Sequence, residues 1–495
     1  MNWVKPAHVL APFRLSAAAD WMMRRNGMRN AKALRLVLFA TVILLLMAAC
    51  TPAAAPATAP DGAEAAPAAG SSDAATEPVV VQLWSTAWFP SSIGGRQALV
   101  DKFNEEYAGR IQVEYVQGDW GQGETYVQSG IAAGGGIACV VEWESEGGAQ
   151  NWYRKGWIID LRPYLTDERR ALTTEEQWAA REYPDDGAIV SSATVLWEPM
   201  LMVLYNPAHL EAAGITPATV DDPWSWDELH EMARLLTLDV NGNHLGEEGF
   251  DPEQVVQWGL LPRLDPEKVW EWGLTFAQQR MGGPVIRQEN GTWGWYLDEA
   301  GAEAYERFLT PIQEGISPEL AIGIGGDTLH QAFVDGLASM IIRESFAIPI
   351  IHDNYPDFEF AAMPTPFELG ETVFYKAGGE GMVITTVCEH PEEAAEFVFW
   401  LMKPENLAIY AHGNGMLPGN YEALEFEPFA SDPAWDIIRD YLDRSQVFTT
   451  PFNPYLVEFR DTIVAPTLME VVEGTRTFAE ANELLQEQAE IVLNQ

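Results

Sequence analysis

From residue 79 onward the chain carries two kinds of apolar pattern. The β-branched run VVVQLW (79–84), the alternation of Ile111, Val113 and Tyr115, and the apolar stretch IACVVEW (137–143) predict three strands. Between the first two, Leu99, Phe103 and Tyr107 recur every four residues, and Gly109 follows as a stop. YVQSGIAAGGG (126–136) reads as a short helix ending in glycine. Strand, helix, strand, helix, strand argues for an α/β lobe with a mostly parallel sheet.

The pattern continues with a long extended run, ATVLWEPMLMVLYN (193–206), bent at Pro199. Ser225 and Glu228 stand at capping-box spacing. They open a helix whose apolar face is Trp226, Leu229, Met232, Ala233 and Leu236. DEAGAEAYERFLTPIQEG (298–315) is a further helix, LASMIIRESF (337–346) a strand then a turn, and KAGGEGMVITTV (376–387) a glycine turn into a strand. A helix begins at Pro391 and stops before Pro404, and helical patterns run on to Gln495.

Before residue 79 the pattern differs. Leu36–Ala49 is an apolar run of 14 residues, short of the ~20 that a bilayer span needs. Arg29, Lys32 and Arg35 precede it, and Ala48 and Ala49 precede Cys50, as in a bacterial lipobox. Residues 1–49 are therefore expected to be a lipoprotein signal peptide, with Met28 as an alternative start. Cys50 would be acylated and anchor the chain on the outer membrane face. The alternative is an uncleaved signal anchor with an incidental cysteine. Residues 50–78, rich in Ala, Pro, Gly and Ser, have too little to bury and read as a flexible tether.

Composition narrows the rest. The remaining 417 residues exceed the ~250–300 that one core usually serves, so two lobes are expected. The formal charge is −44. Residues 1–49 hold seven basic residues and one acid, leaving 22 basic against 72 acidic residues and a net of −50. Such a chain repels phosphate backbones, so no nucleic-acid partner is expected. Cys139 and Cys388 could pair in an oxidising compartment, but we expect two buried free thiols.

The order of landmarks resembles the extracellular solute-binding proteins of ABC importers, the family that includes maltose-binding protein. The residues that carry this are LW (83–84), FNEEYAGRIQVEYV, IAAGGGIACVVEW, YRKGWIIDLRPYL, MVLYNPAHLEAAGITP, WSWDELHEMARLLT, LASMIIRESF, AGGEGMVIT and PEEAAEFVFWLMKPENL. GGGIACVV lacks the Pro and Asp usual before the family's third strand. The resemblance implies a two-lobed periplasmic-binding-protein fold, α/β and maltose-binding-like, with a ligand cleft and hinge between the lobes. Lobe 1 is expected from residues 79–195 plus 375–425, and lobe 2 from 196–374 plus 426–495. It also implies a monomer that hands its solute to a membrane permease, and no catalysis.

A neutral sugar offers apolar faces to aromatic rings and hydroxyls to carboxylates, amides and Arg. The chain has 19 Trp. Trp84, Trp226 and Trp400 are expected in the core, and Trp293 and Trp295 either flank the cleft or decorate a hairpin. Carried over by the resemblance, the candidate ligand-binding residues are Trp88, Asp119, Trp120, Trp143, Glu144, Glu146, Glu198, Arg343, Glu344, Phe346, Gly378, Gly379, Glu380 and Tyr455, with Phe452 as an alternative to Tyr455.

Asp239, Asn241 and Asn243 have the alternate spacing of a calcium loop. Glycine at the fourth place and Phe250 at the twelfth depart from that pattern, so a solvated turn is the expected reading and calcium the alternative. No cofactor is otherwise expected. Three rivals to a sugar-binding importer component remain: the same fold binding a peptide, polyamine or other polar solute, a secreted glycoside hydrolase, and a structural envelope lipoprotein. No Gly-x-Ser-x-Gly, His-Glu-x-x-His or phosphate-loop motif is present.

Overall fold

The computed structural model describes residues 77–144, 148–196, 201–367, 373–376, 379–442, 445–448 and 452–495. The expected signal peptide, Cys50 and most of the tether lie outside the described residues, as do Glu146, Glu198 and Gly378.

Two sheets organise the unit that runs from Ala75 to Gln495. The first has six strands in the spatial order Leu417–Pro418, Val195–Leu196, Glu380–Ile384, Val140–Glu144, Val79–Ser85, Ile111–Gln117. Val79–Ser85 pairs in parallel with both Ile111–Gln117 and Val140–Glu144. Glu380–Ile384 returns antiparallel, with Glu380 opposite Glu144. The second sheet has five strands, Ala361–Pro364, Leu201–Tyr205, Ala338–Glu344, Val255–Leu261, Leu238–Asp239. Its one parallel pair is Ala338–Glu344 with Val255–Leu261. The expected mostly parallel sheet thus holds only for the first three strands. Apart from that one pair in the second sheet, the rest run antiparallel, because the chain leaves each sheet and comes back into it.

That exchange follows from the strand positions. Val195–Leu196 belongs to the first sheet and Leu201–Tyr205 to the second; Ala361–Pro364 belongs to the second and Glu380–Ile384 to the first. After Leu417–Pro418 the chain ends in the helices Ala465–Val472 and Phe478–Val492. The last of these joins the second group, where Asn482 accepts from the Trp295 indole at 2.9 Å.

Helix Pro90–Glu106 has Phe89 at its cap position and no side-chain cap of its own. Asp353, from the segment after the second sheet's central strand, accepts from the Ser91 N–H at 2.9 Å and from the Ser91 hydroxyl at 2.8 Å. One orphan donor of the helix is thereby satisfied from another part of the chain.

The first sheet buries an ion pair. Arg96 and Glu142, both fully enclosed, meet at 2.7 Å. Arg96 also donates to Ser85 at 2.5 Å and to Asn414 at 3.1 Å, and Ser85 and Tyr410 donate to Glu142. Burial opposes the Glu142 charge, yet Arg96 and the hydrogen bonds hold its pKa below the usual carboxylate range.

Cys139 and Cys388 form a disulfide with Cα atoms 4.6 Å apart, which corrects the expectation of two free thiols. The pairing joins two strands already adjacent in the sheet: Cys139 precedes Val140–Glu144 and Cys388 follows Glu380–Ile384. Spacing in the sequence, 249 residues, gave no hint of that adjacency.

Asp239 is buried at the head of its turn. Its two oxygens accept from the Asn241, Asn243 and Asp251 backbone N–H groups at 2.8–3.0 Å and from the Asn243 amide at 3.1 Å. Burial works against its ionisation, and these donors pull its pKa well below the usual range nonetheless. The carboxylate is occupied by donors, as a self-contained turn requires. Among the described residues no three His, Cys, Asp or Glu side chains converge to hold a metal.

Candidate functional site

The edges of the two sheets face one cleft, with a volume of about 1340 Å³. The parallel strands of the first sheet end there, and Trp88, Trp120 and Trp143 stand at or just beyond those ends. Glu380 opens the antiparallel strand at the same edge. From the second sheet come Leu201, Glu344 and Phe346, at the start of one strand and the end of its antiparallel neighbour. Ligands bind outside the carboxyl ends of strands in open α/β sheets for this topological reason.

On the first wall the rings form a row. Phe346 meets Trp88 edge-on at 5.8 Å, Trp88 meets Trp120 at 6.4 Å, and Trp120 meets Trp143 at 6.0 Å. Trp143 stacks on Trp152 at 4.4 Å with planes 19° apart. Trp88 is 45% exposed despite these neighbours, an unusual state for so large a ring. Beneath the row, Trp84 is core as expected and stacks on Tyr126 at 5.1 Å.

The opposite wall is built on helix Pro266–Met281. Asp265 caps it, accepting from the Glu267 and Lys268 N–H groups, and Pro266 occupies its first turn. Lys268, Glu271, Thr275 and Gln278 then recur along one face and line the cleft. Lys268 lies 3.2 Å from Glu344 and 3.4 Å from Glu267 and donates to Glu271; the buried Trp272 indole donates to Glu344 at 3.0 Å. Burial penalises the Glu344 charge, but Lys268 and Arg343 outweigh it and hold Glu344 at about 2. Burial raises Glu271 against the pull of Lys268.

The expected site residues divide. Trp88, Trp120, Trp143, Glu344, Phe346 and Glu380 line the cleft. Glu144 contributes backbone opposite Glu380. Asp119 is exposed and accepts from the Gly121 N–H at 2.9 Å, organising its loop. Arg343 is buried behind the wall, its guanidinium 5.3 Å from the Phe346 ring and 3.5 Å from Glu344. Gly379 is pressed against the Val195 carbonyl, where a Cβ would come within 2.1 Å, at a φ of 132° that side chains rarely adopt. Tyr455 packs against the core, and its alternative Phe452 lines the cleft. Trp295 is core, and Trp293, on the same hairpin, reaches the cleft.

Sequence reasoning missed Trp152 and the whole Lys268–Trp272 wall. A usable signal was present in VWEWG (269–273). Two tryptophans two apart on a helix point some 200° from each other, so a helix packed on one face would leave one of them partly open. Trp272 is buried and Trp270 partly exposed, and both border the cleft.

The chain matches the bacterial extracellular solute-binding protein family over residues 90–408. It is 24% identical over 457 residues, 90% of each chain, to an uncharacterized lipoprotein in the oleD 5' region of Streptomyces antibioticus. The GacH receptor of Streptomyces glaucescens, solved unliganded and with acarbose and an acarbose homolog, superposes with a TM-score of 0.65. Its identity is 18%, covering 84% of this chain and 99% of that one. The maltose/maltodextrin-binding domain MalE of Bdellovibrio bacteriovorus, bound to maltotriose, gives 0.62 at 20% identity, with 83% and 99% covered. At these identities the structural likeness shows the two-lobed fold. With a cleft open between two α/β sheets and the family match spanning most of the folded body, the chain belongs to the bacterial extracellular solute-binding proteins, the capture components of ABC importers.

Proposed function

We propose that the cleft captures a sugar, and specifically an oligosaccharide, for import. The observation that carries this is the row Phe346, Trp88, Trp120 and Trp143, backed at its end by the buried Trp152, beside the carboxylates Glu344, Glu380 and Glu271. Rings supply faces for the C–H surface of successive sugar units, and carboxylates accept from their hydroxyls. Three steps of 5.8–6.4 Å between ring centres make the row longer than one monosaccharide. Support also comes from GacH and MalE, which have the same fold and were solved with oligosaccharide-type ligands.

In this reading residues 79–195 plus 375–425 move as one lobe and 196–374 plus 426–495 as the other, closing on the solute for a permease partner without chemical change. Asp119, Arg343 and Gly379 support the ligand surface from behind, and Glu146, Glu198 and Gly378 keep the ligand-binding role that the family resemblance implies. Cys50 carries a lipid that holds the body at the outer face of the membrane. The curated relative is a lipoprotein, and no described helix is long and apolar enough to cross a membrane. Cys50→Ser should move the protein from the membrane to the soluble fraction; a variant that stays bound has another anchor.

A second reading has an observation of its own. Among the described residues the cleft lining holds seven carboxylates, Glu124, Glu182, Asp185, Glu267, Glu271, Glu344 and Glu380, against the four bases Arg154, Lys155, Lys268 and Arg460. That surplus favours an amine-bearing solute over an acidic one. A thermal-shift screen of maltodextrins, mannooligosaccharides, amino sugars and polyamines separates the two. A ligand at about 100 times its Kd adds about 2.7 kcal/mol of stability. A shift for a neutral oligosaccharide that is recovered intact supports capture. A shift for polyamines alone overturns the sugar reading, and consumption of the sugar overturns the reading without catalysis.

A further inference from the structure

The loop GDWGQG (118–123) presents Trp120 to the cleft and contains three glycines. None of the three has a positive φ, so the backbone itself does not require glycine at any of them. Packing requires it at two. A Cβ on Gly118 would come within 2.2 Å of the Trp84 ring, and one on Gly123 within 2.0 Å of the Trp143 ring. At Gly121 the nearest atom is Asp119 Oδ1 at 3.2 Å, a mild contact.

Gly123 is the telling position. It is the first residue of helix Gly123–Ala133, with φ −55° and ψ −49°. In that conformation alanine is intrinsically the better residue. Glycine stands there against local preference, and the Trp143 ring fills the space a side chain would take. The ring is wedged between the Gly123 backbone on one side and Trp152, stacked at 4.4 Å, on the other. Its indole nitrogen is buried without a protein partner, so packing, and no hydrogen bond, sets its orientation.

We propose that Gly123 is a positioning residue for ligand capture: it fixes the plane of Trp143 and so the line of the aromatic row. Gly118 does the same for Trp84 below. Row and loop are one device, in which two glycines flank Trp120 and each receives a tryptophan from a neighbouring strand of the sheet. This rests on the reading that the row is the ligand surface.

The test is Gly123→Ala beside Gly121→Ala in the full soluble body. Two stacked indoles couple their transitions and give an exciton couplet in circular dichroism; the difference spectrum against Trp143→Phe, taken in a Trp120→Phe background that removes the Trp120–Trp143 coupling, isolates the Trp143–Trp152 pair. Gly123→Ala is expected to lose that couplet and to weaken binding of the probe maltotriose at least tenfold. Gly121→Ala keeps both, and the melting temperatures of the two variants stay close. A Gly123→Ala protein that retains the couplet overturns the positioning role. Loss of the couplet with undiminished maltotriose binding overturns the link to capture and counts against the row as the ligand surface. If wild-type protein binds no maltotriose, the sugar proposal is what suffers, and the couplet still decides whether Gly123 seats the ring.

Discussion

The two walls of the cleft use the same residue in opposite ways. On one, Trp88 and Trp120 stand on loops after strands and Trp143 near the end of one; Trp120 meets both of the others, and Trp88 leaves 45% of its surface open. On the other, Trp272 is buried, spends its indole N–H on Glu344, and shares that carboxylate with Lys268. The first wall has ring surface open for contact; the second commits its Trp272 N–H and Lys268 internally and leaves only Glu344 Oε2 of that group without a hydrogen bond. A tryptophan count would equate them, while the partners of each ring separate a surface that waits for a ligand from one that holds a lobe together.

Breaking the second wall should therefore cost stability before affinity. Trp272→Ala removes a buried ring and strands Glu344, with an expected loss of about 3–5 kcal/mol in denaturant unfolding. Lys268→Met removes one partner of a buried pair, with an expected loss of about 3 kcal/mol. It should also raise Glu344 from about 2, where Lys268 and Arg343 now hold it. An unchanged Glu344 titration in that variant would assign the shift to Arg343 alone.

Reducing the Cys139–Cys388 link should come next, lowering stability by about 2–4 kcal/mol. Acid sharpens the contrast further. Glu344 and Glu314 are both held at about 2 in the folded chain against about 4.3 unfolded. Their charged forms stabilise the fold above that unfolded value, and the contribution fades as pH falls from about 4.3 through 2. Acidification also relieves the self-repulsion of the strongly acidic body, so Lys268→Met should flatten the acid limb rather than remove it. The smallest stability effect belongs to the first wall: Trp120→Ala should change ligand-free stability by under about 1 kcal/mol. Its effect on affinity is instead at least tenfold, the scale of a buried aromatic anchor.

How much could be read in advance follows the range of the physics involved. The βαβ start, the Ser225–Glu228 capping box and the helix after Pro391 are local patterns, and all three are present where the pattern put them. Trp88, Trp120 and Trp143, carried over by the family resemblance, stand at or near the ends of local strands and line the cleft. What escaped depends on contacts far apart in sequence. Cys139 meets Cys388 only because their strands pair. Trp152 matters only because Trp143 lies over it. Arg343 followed its strand correctly but turned behind the wall, since a strand end specifies position and leaves the side chain's face to packing. Gly123 carried a signal in its helix position, yet its meaning required the ring opposite.

The central claim is that the aromatic row captures an oligosaccharide by lobe closure. The most direct measurement is calorimetric titration of wild type and Trp120→Ala with a maltodextrin series of increasing length, with small-angle scattering of the free and saturated wild-type protein. The account predicts affinity that rises with chain length until the row is filled, a smaller radius of gyration on saturation, and at least a tenfold loss in Trp120→Ala at unchanged melting temperature. Saturable binding with no contraction, or equal affinity in Trp120→Ala, would contradict it.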